Sequence, residues 1–441
     1  MRNILKTNTS EKQRNLLFIS YYFPPIHVNA IIRIKNFFEA FIESGYQVFV
    51  ITGKFPPGMP RDTSQQVYNP RVTYIPIIGI RNYLTNQILK NHTLPPKWKK
   101  KPLISFLLSI RNRIPYSIIF GDGGLCYLLG SYLKGLGWIK KYKITHIYSS
   151  FSPFTDHFIA YLLKYRYPHL HWTADFRDLP FDMKNPSKWN QAVFQYFFKK
   201  IISQATEIIT VSEGLAKALR YYHNQINIYS GCISNDRINL PTKRPITFNL
   251  NYTGSIYPDF QEIFPLISVI MELIEEKIIE VNDIKWTYCG IHPSIFKEWL
   301  VPYFNNEQLE IQDLLSLKES QQRQQEAGIN FLLTWCTDNE EGILTTKLFE
   351  YLEAGRPILV WTKGKYEAEM AKILALCQVG GYFQEKREKE MKGWISDKYL
   401  RWKKQSWTSF DQIKLREVYG KDQRNSLIKK VSEKTPTRKN T

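Results

Sequence analysis

Asn15–Thr52 reads NLLFISYYFPPIHVNAIIRIKNFFEAFIESGYQVFVIT. Asn15–Ser20 is a short apolar run of the kind that forms a parallel strand buried on both faces. Tyr21-Tyr22-Phe23-Pro24-Pro25 cannot continue it and reads as a loop. Ala30–Ser44 follows as a helix stopped by Gly45, and Tyr46–Thr52 as the next strand. Strand, helix and strand in this order make a βαβ unit, which commits the chain to a parallel sheet.

The same cycle recurs. Thr145–Ser149, His171–Ala174 and Glu207–Val211 read as strands, separated by helices from about Asp156 to Tyr165 and Lys188 to Ser203. Asn235–Thr247 turns polar, with Pro241 and Pro245 flanking Lys243-Arg244, and reads as a domain link. Beyond it strands are expected at Phe248–Tyr252, Lys285–Cys289, Gly328–Leu333 and Pro357–Trp361, with helices at Glu262–Glu276 and Thr346–Ala354. The expected fold class is α/β, with two doubly wound Rossmann-like domains. Their expected bounds are 15–240 and 247–398, after a polar tail at 1–14 and before amphipathic helices and a basic tail at 399–441. A length of 441 residues agrees, since single cores stop growing near ~250–300 residues.

Composition narrows the function classes. With 43% hydrophobic and 23% charged residues the chain buries a core, which excludes a fibrous or unfolded protein. The five cysteines (Cys126, Cys232, Cys289, Cys336 and Cys377) form no CxxC pair, so a reduced, cytosolic protein without a structural metal is expected. The start of the chain does not read as a signal peptide, and no apolar run reaches the ~18 residues of a spanning helix. The net charge of +20 calls for an anionic neighbour, either nucleic acid or membrane. No nucleic-acid recognition motif accompanies it.

Ligands of open α/β sheets sit beyond the carboxyl ends of strands, which directs attention to five stretches. In the run Glu340–Pro357, Thr345 can cap a helix beginning at Thr346, presenting backbone N–H groups and the Lys347 ammonium to a diphosphate. Glu350 lies one turn further in, placed to accept from sugar or ribose hydroxyls. Asp175-Phe176-Arg177-Asp178 packs three charges into four residues, which either pair locally or face a polar ligand. Tyr252-Thr253-Gly254, the Tyr22–Pro25 loop and Ser149–Pro153 are the remaining ends. Gly121-Asp122-Gly123-Gly124 imitates a dinucleotide fingerprint but has Cys126 at the third glycine position, and reads as a loop.

Thr63–Gly121 holds no acidic residue. It carries Lys97, Lys99, Lys100 and Lys101 beside Trp98, and Leu103–Ile110 beyond them. A basic cluster next to an apolar segment is a membrane-interface pattern, and a solvated face over a core helix is the plainer alternative.

KLFEYLEAGRPILV at 347–360, preceded by EGILTT, resembles the donor-binding segment of retaining glycosyltransferases of the GT-B fold, in particular the bacterial family-four group of polysaccharide assembly. LLFISYYFPPIHVNAIIR, THIYSSFSPFTDH, HWTADFRDLP, EIITVSEGLAKAL and NYTGSIY are similar to that group's other segments, in the same order, from about Asn15 to Gly380.

The resemblance implies a metal-independent enzyme, without a cofactor, that moves a sugar from a nucleotide sugar to a saccharide acceptor; taken with the membrane-interface pattern, a lipid-linked acceptor at the inner membrane face is expected. It implies donor contacts at Thr253, Gly254, Thr345, Thr346, Lys347 and Glu350, acceptor-side positions at Pro25, His27, Ser150 and Asp178, and catalytic parts for Asp175, Arg177 and Glu341. His27 is alternatively a solvent-facing loop residue. The chain departs from the pattern in three places. Gly342 stands where the first of two paired glutamates is expected, so either Glu341 shifts in or backbone makes that contact. No cation follows Gly254, which leaves Lys347 and Arg177 to hold a diphosphate. His27-Val28-Asn29 replaces a glycine pair. These departures sustain a second reading as a non-catalytic GT-B-fold partner or sugar-binding subunit, ahead of a nucleic-acid-binding protein.

Overall fold

The computed structural model describes residues 14–28, 30–56, 59–77, 113–121, 123–180, 183, 191–230, 244–337, 344–406 and 421–433. Seven strands form the first sheet: β1 (Arg14–Ile19), β2 (Tyr46–Lys54), β3 (Val72–Pro76), β4 (His146–Phe151), β5 (His171–Phe176), β6 (Glu207–Thr210) and β7 (Ile226–Ile228). Their order is β3-β2-β1-β4-β5-β6-β7, and every pairing is parallel. Six more form the second: β8 (Phe248–Thr253), β9 (Ile284–Cys289), β10 (Leu309–Gln312), β11 (Ile329–Cys336), β12 (Ile358–Gly364) and β13 (Gly380–Gln384), in the order β10-β9-β8-β11-β12-β13. The chain therefore builds two doubly wound Rossmann-like domains, each with its switch point between the first and fourth strands.

Alternation along the strands fills both faces. In β1, Leu17 and Ile19 enter the cluster with Trp172 and Phe198, whereas Leu16 and Phe18 face Phe37, Phe38 and Phe41 of helix Ile31–Glu43. In β12, Leu359 and Trp361 face one cluster, and Ile358 and Val360 the other. Two-sided burial is why these strands read as unbroken apolar runs.

The expected boundary at 398 falls inside helix Glu388–Lys403, whose Met391, Ile395, Tyr399 and Trp402 belong to the second domain's core. Helix Lys421–Glu433 returns to the first domain, where Leu427, Ile428 and Val431 join the Phe37 cluster. Its buried Arg424 donates to the Asn36 carbonyl at 3.0 Å and to Glu43 at 2.8 Å. The expected link at 235–247 and the tails lie largely outside the described residues, as do Cys232, Glu341, Gly342 and the Lys97–Lys101 cluster. Gly123 is the loop residue ahead of helix Gly124–Tyr142, and a helix, Tyr116–Phe120, precedes it where a dinucleotide site needs a strand.

Two carboxylate contacts join the domains. Asp62 accepts from the N–H of Leu317 at 3.1 Å, at the start of helix Leu317–Gln325. Glu369 accepts from the N–H groups of Glu213 at 3.0 Å and Gly214 at 3.4 Å, at the start of helix Glu213–Leu219. Each places a negative charge against the positive end of the other domain's helix. Burial opposes the charge on Asp62, but hydrogen bonds from Ser64 and Leu317 hold the group below its ordinary carboxylate range.

Candidate functional site

The cleft between the domains opens at the carboxyl ends of β8 and β9 and encloses about 740 Å3 of space continuous with solvent. Its second-domain wall includes Thr253, Gly254, Thr346, Lys347 and Glu350, and its first-domain wall includes His27, Ile31 and Asp62. Five of the six expected donor-side residues thus line one cleft. The sixth, Thr345, caps helix Thr346–Ala354 by accepting from the Lys347 N–H at 3.3 Å.

That cap reduces what the backbone can offer. The Lys347 N–H is taken by Thr345 Oγ1, and the Leu348 N–H by the Thr345 carbonyl at 3.1 Å. The Lys347 side chain lines the same cleft. Nζ donates to Tyr252 Oη at 2.8 Å and to the Ser255 carbonyl at 3.1 Å, and lies 4.2 Å from the centre of the Tyr252 ring. An ammonium has three donors, so one is left for a ligand. Burial pushes the group down to about 8, while the adjacent Glu350 carboxylate acts in the opposite direction.

Gly254 makes this placement possible. Its φ is +119°, and a Cβ there would sit 2.3 Å from Lys347 Cε and 2.9 Å from Nζ. The Thr253-Gly254 motif and the lysine are one device, in which the missing side chain is the channel the lysine occupies. Gly254→Ala is expected to leave the fold in place but displace Lys347, with backbone strain costing about 1–3 kcal/mol. Circular dichroism should be unchanged and nucleoside-diphosphate binding weakened at least as much as in Lys347→Ala.

Glu350 accepts from Gln324 Nε2 at 3.3 Å. The same amide donates to Thr253 Oγ1 at 2.9 Å, and the Thr253 N–H donates to Tyr351 Oη at 3.0 Å. Burial raises the Glu350 carboxyl above its ordinary value, against the Gln324 hydrogen bond and Lys347. Gln324 was not singled out from the sequence. The signal for its helix is Ser316-x-x-Glu319, and both hydrogen bonds of that capping box form. Cys289 also lines the cleft, but burial pushes its thiol up to about 11, so it stays protonated at neutral pH.

The first domain places its expected residues as follows. Asp175 is buried and accepts from Arg33 Nε at 3.0 Å and Nη2 at 2.6 Å, and from Tyr148 Oη at 2.9 Å. Arg33 also donates to the Tyr229 carbonyl at 2.8 Å. This carboxylate is an internal anchor, engaged on both oxygens, and it does not line the cleft. Arg177 is not among the residues that line it, and its Nε donates to the Phe151 carbonyl at 2.8 Å.

Among the acceptor-side positions, His27 lines the cleft and is held by a 2.9 Å hydrogen bond from its N–H to the Pro60 carbonyl. The Pro25 carbonyl accepts from the Asp62 N–H at 2.8 Å. Ser150 is buried within β4, opposite Asp175, and Asp178 accepts from the Leu179 N–H at 3.0 Å. Glu341 lies outside the described residues. Among those residues, no three His, Cys, Asp or Glu gather as metal ligands.

No protein-family model matches the chain, and no curated protein matches it in sequence. Solved structures match over nearly its whole length. A trehalose-6-phosphate synthase, studied with bisubstrate glycomimetics of glycosyl transfer with retention, aligns with a TM-score of 0.53 at 10% identity, covering 96% of this chain and 100% of its own. A Listeria monocytogenes protein provisionally described as a UDP-N-acetylglucosamine 2-epimerase aligns at 0.52 and 9% identity, over 96% and 98%. The glycotransferase of kitacinnamycin aligns at 0.50 and 9% identity, over 95% and 99%. At this identity the likeness is one of fold, and the fold is GT-B.

Proposed function

We propose that the protein is a glycosyltransferase that uses a nucleotide-sugar donor. The observation that carries this reading is Lys347 at the start of helix Thr346–Ala354, with Glu350 one turn further in, both facing one cleft between two Rossmann-like domains. In the proposed reaction the bond from the donor's anomeric carbon to the diphosphate oxygen breaks, an acceptor hydroxyl bonds that carbon, and its proton passes to the departing diphosphate, which keeps the bonding electron pair. Lys347 stabilises that developing charge without a metal ion. Glu350, which also accepts from Gln324 at 3.3 Å, accepts from donor hydroxyls. Transfer with retention, as in the family-four glycosyltransferases the sequence resembles, belongs to the same reading.

The acceptor proposed is a lipid-linked saccharide in cell-surface polysaccharide synthesis, met at the cytoplasmic face of the membrane. Among the described residues no helix is long and apolar enough to cross a bilayer. Helix Gly124–Tyr142 has no acidic residue and exposes Leu125, Leu129 and Leu133 on successive turns, which supports peripheral attachment. With each basic residue near an anionic surface contributing about 1 kcal/mol, Lys97, Lys99, Lys100 and Lys101 together supply a few kcal/mol. Changing the four to glutamate is expected to leave the protein in the supernatant when it is sedimented with anionic vesicles, and high salt should weaken wild-type attachment. Co-sedimentation equal to wild type would remove that segment from the account.

The transfer reading is tested by incubating the protein with nucleotide sugars and a lipid-linked saccharide fraction. Release of nucleoside diphosphate that requires both substrates supports it. Donor binding with no turnover on any acceptor favours the alternative of a non-catalytic partner, which the residue at Gly342 motivates.

A further inference from the structure

Beyond Gly254, where the sequence lacks a cation, the chain places aromatic side chains in solvent on a loop that cannot move freely. Tyr257 and Phe260 are 47% and 49% exposed, and both pack on the half-buried Trp335 at the end of β11. Phe260 stacks on Trp335 with ring centres 5.1 Å apart, and Tyr257 meets its edge at 5.7 Å. The loop is pinned from beneath. Buried Gln261 accepts from the Tyr257 N–H at 2.9 Å and donates to the Leu333 carbonyl at 2.7 Å, and the Ile256 N–H donates to His292 at 3.2 Å.

Exposed aromatic rings in a rigid cluster are costly to keep in water and mark a surface that is covered in use. Polar groups stand at the rim. Lys363 is the register partner of Trp335 on β12, and its Nζ lies 3.5 Å from Glu262, with both side chains partly exposed. Flat apolar faces bordered by a carboxylate and an ammonium suit a pyranose ring. Its axial C–H face carries slight positive charge toward the negative face of an aromatic ring, while its equatorial hydroxyls reach outward to charged partners. A bilayer would find a carboxylate at this edge, and a nucleobase has no hydroxyls to match the rim.

We infer that Tyr257, Phe260 and Trp335, edged by Glu262 and Lys363, form a saccharide-binding platform beside the cleft, adjoining the Lys347–Glu350 site without lining it. This rests on the proposed sugar-transfer reading for its place in the reaction, where the platform would hold the acceptor's sugar units. The loop reaches the cleft directly, since the Ser255 carbonyl accepts from Lys347 Nζ at 3.1 Å. Pinning the loop before a ligand arrives removes much of the ordering cost that weak saccharide binding must otherwise overcome.

The test is saturation-transfer NMR on the full chain with maltotriose, cellotriose, mannotriose and chitotriose as probes, together with calorimetry of nucleoside diphosphates. At least one trisaccharide is expected to receive saturation, strongest at its axial ring protons. Its affinity should fall at least tenfold in Tyr257→Ser/Phe260→Ser and in Trp335→Ala, with diphosphate affinity within twofold of wild type. The double variant removes only half-exposed rings, so it keeps the fold if Trp335→Ala does not. Absence of saturation for all four probes overturns the platform, as does saturation that survives the substitutions or is displaced by a nucleoside diphosphate. A concentration-dependent dimer that the double variant dissociates also overturns it. Trisaccharide binding without any nucleotide binding leaves the platform and removes the transferase reading, and the reverse result does the opposite.

Discussion

Lys347→Ala is expected to weaken nucleoside-diphosphate binding by about 1–3 kcal/mol, roughly 5- to 150-fold, which is the range for one charge-assisted hydrogen bond. Among the described residues the lysine is the cation of the cleft's second-domain wall, and Thr345 already holds the backbone N–H groups of Lys347 and Leu348. Its pH dependence separates this from a packing effect. Burial brings the free ammonium down to about 8, so the charged form that binds phosphate is present below that value and lost above it. Wild-type affinity should therefore be flat near pH 7 and fall by up to about tenfold per pH unit above 8. Lys347→Arg, always charged, should lose that limb of the profile. An unchanged profile in Lys347→Arg would show that some other group titrates.

The second large effect concerns stability. Asp175→Ala leaves the Arg33 guanidinium buried without its carboxylate, and removing one partner of such a pair costs about 3–5 kcal/mol. For a domain of this size that lowers the melting temperature by on the order of 10 °C. Arg33→Ala should cost a similar amount, and the double variant Arg33→Met/Asp175→Leu much less than the sum, because the buried charges leave together. Differential scanning calorimetry reads all three. A variant at Asp175 that melts like wild type yet loses transfer would return this residue to the chemistry.

The Asp175 tetrad shows where sequence reading reaches its limit. Three charges in four residues must pair or face a ligand, but the partner that decides between these, Arg33, lies 142 residues away on helix Ile31–Glu43. Its side chain is 8% exposed, a place no helix periodicity assigns to an arginine. The strands were legible because parallel strands covered on both faces leave unbroken apolar runs, and the sheet order follows from the alternation with helices. Short edge strands such as Leu309–Gln312 and Ile226–Ile228 carry too few residues to show any pattern. At the cleft, Thr345, Lys347 and Glu350 were legible because helix-start chemistry is local. Gln324, Asp62 and the lysine channel at Gly254 were not, since each depends on two distant segments meeting.

The most direct measurement is a calorimetric titration of the wild-type chain with UDP, GDP, ADP and TDP at pH 7. At least one diphosphate should bind, in competition with its nucleotide sugar and at one site per chain, and Lys347→Ala and Glu350→Ala should each weaken it while keeping the wild-type melting profile. Heats indistinguishable from dilution for all four nucleotides, or binding that both variants retain at wild-type strength, would contradict a nucleotide-sugar site in this cleft.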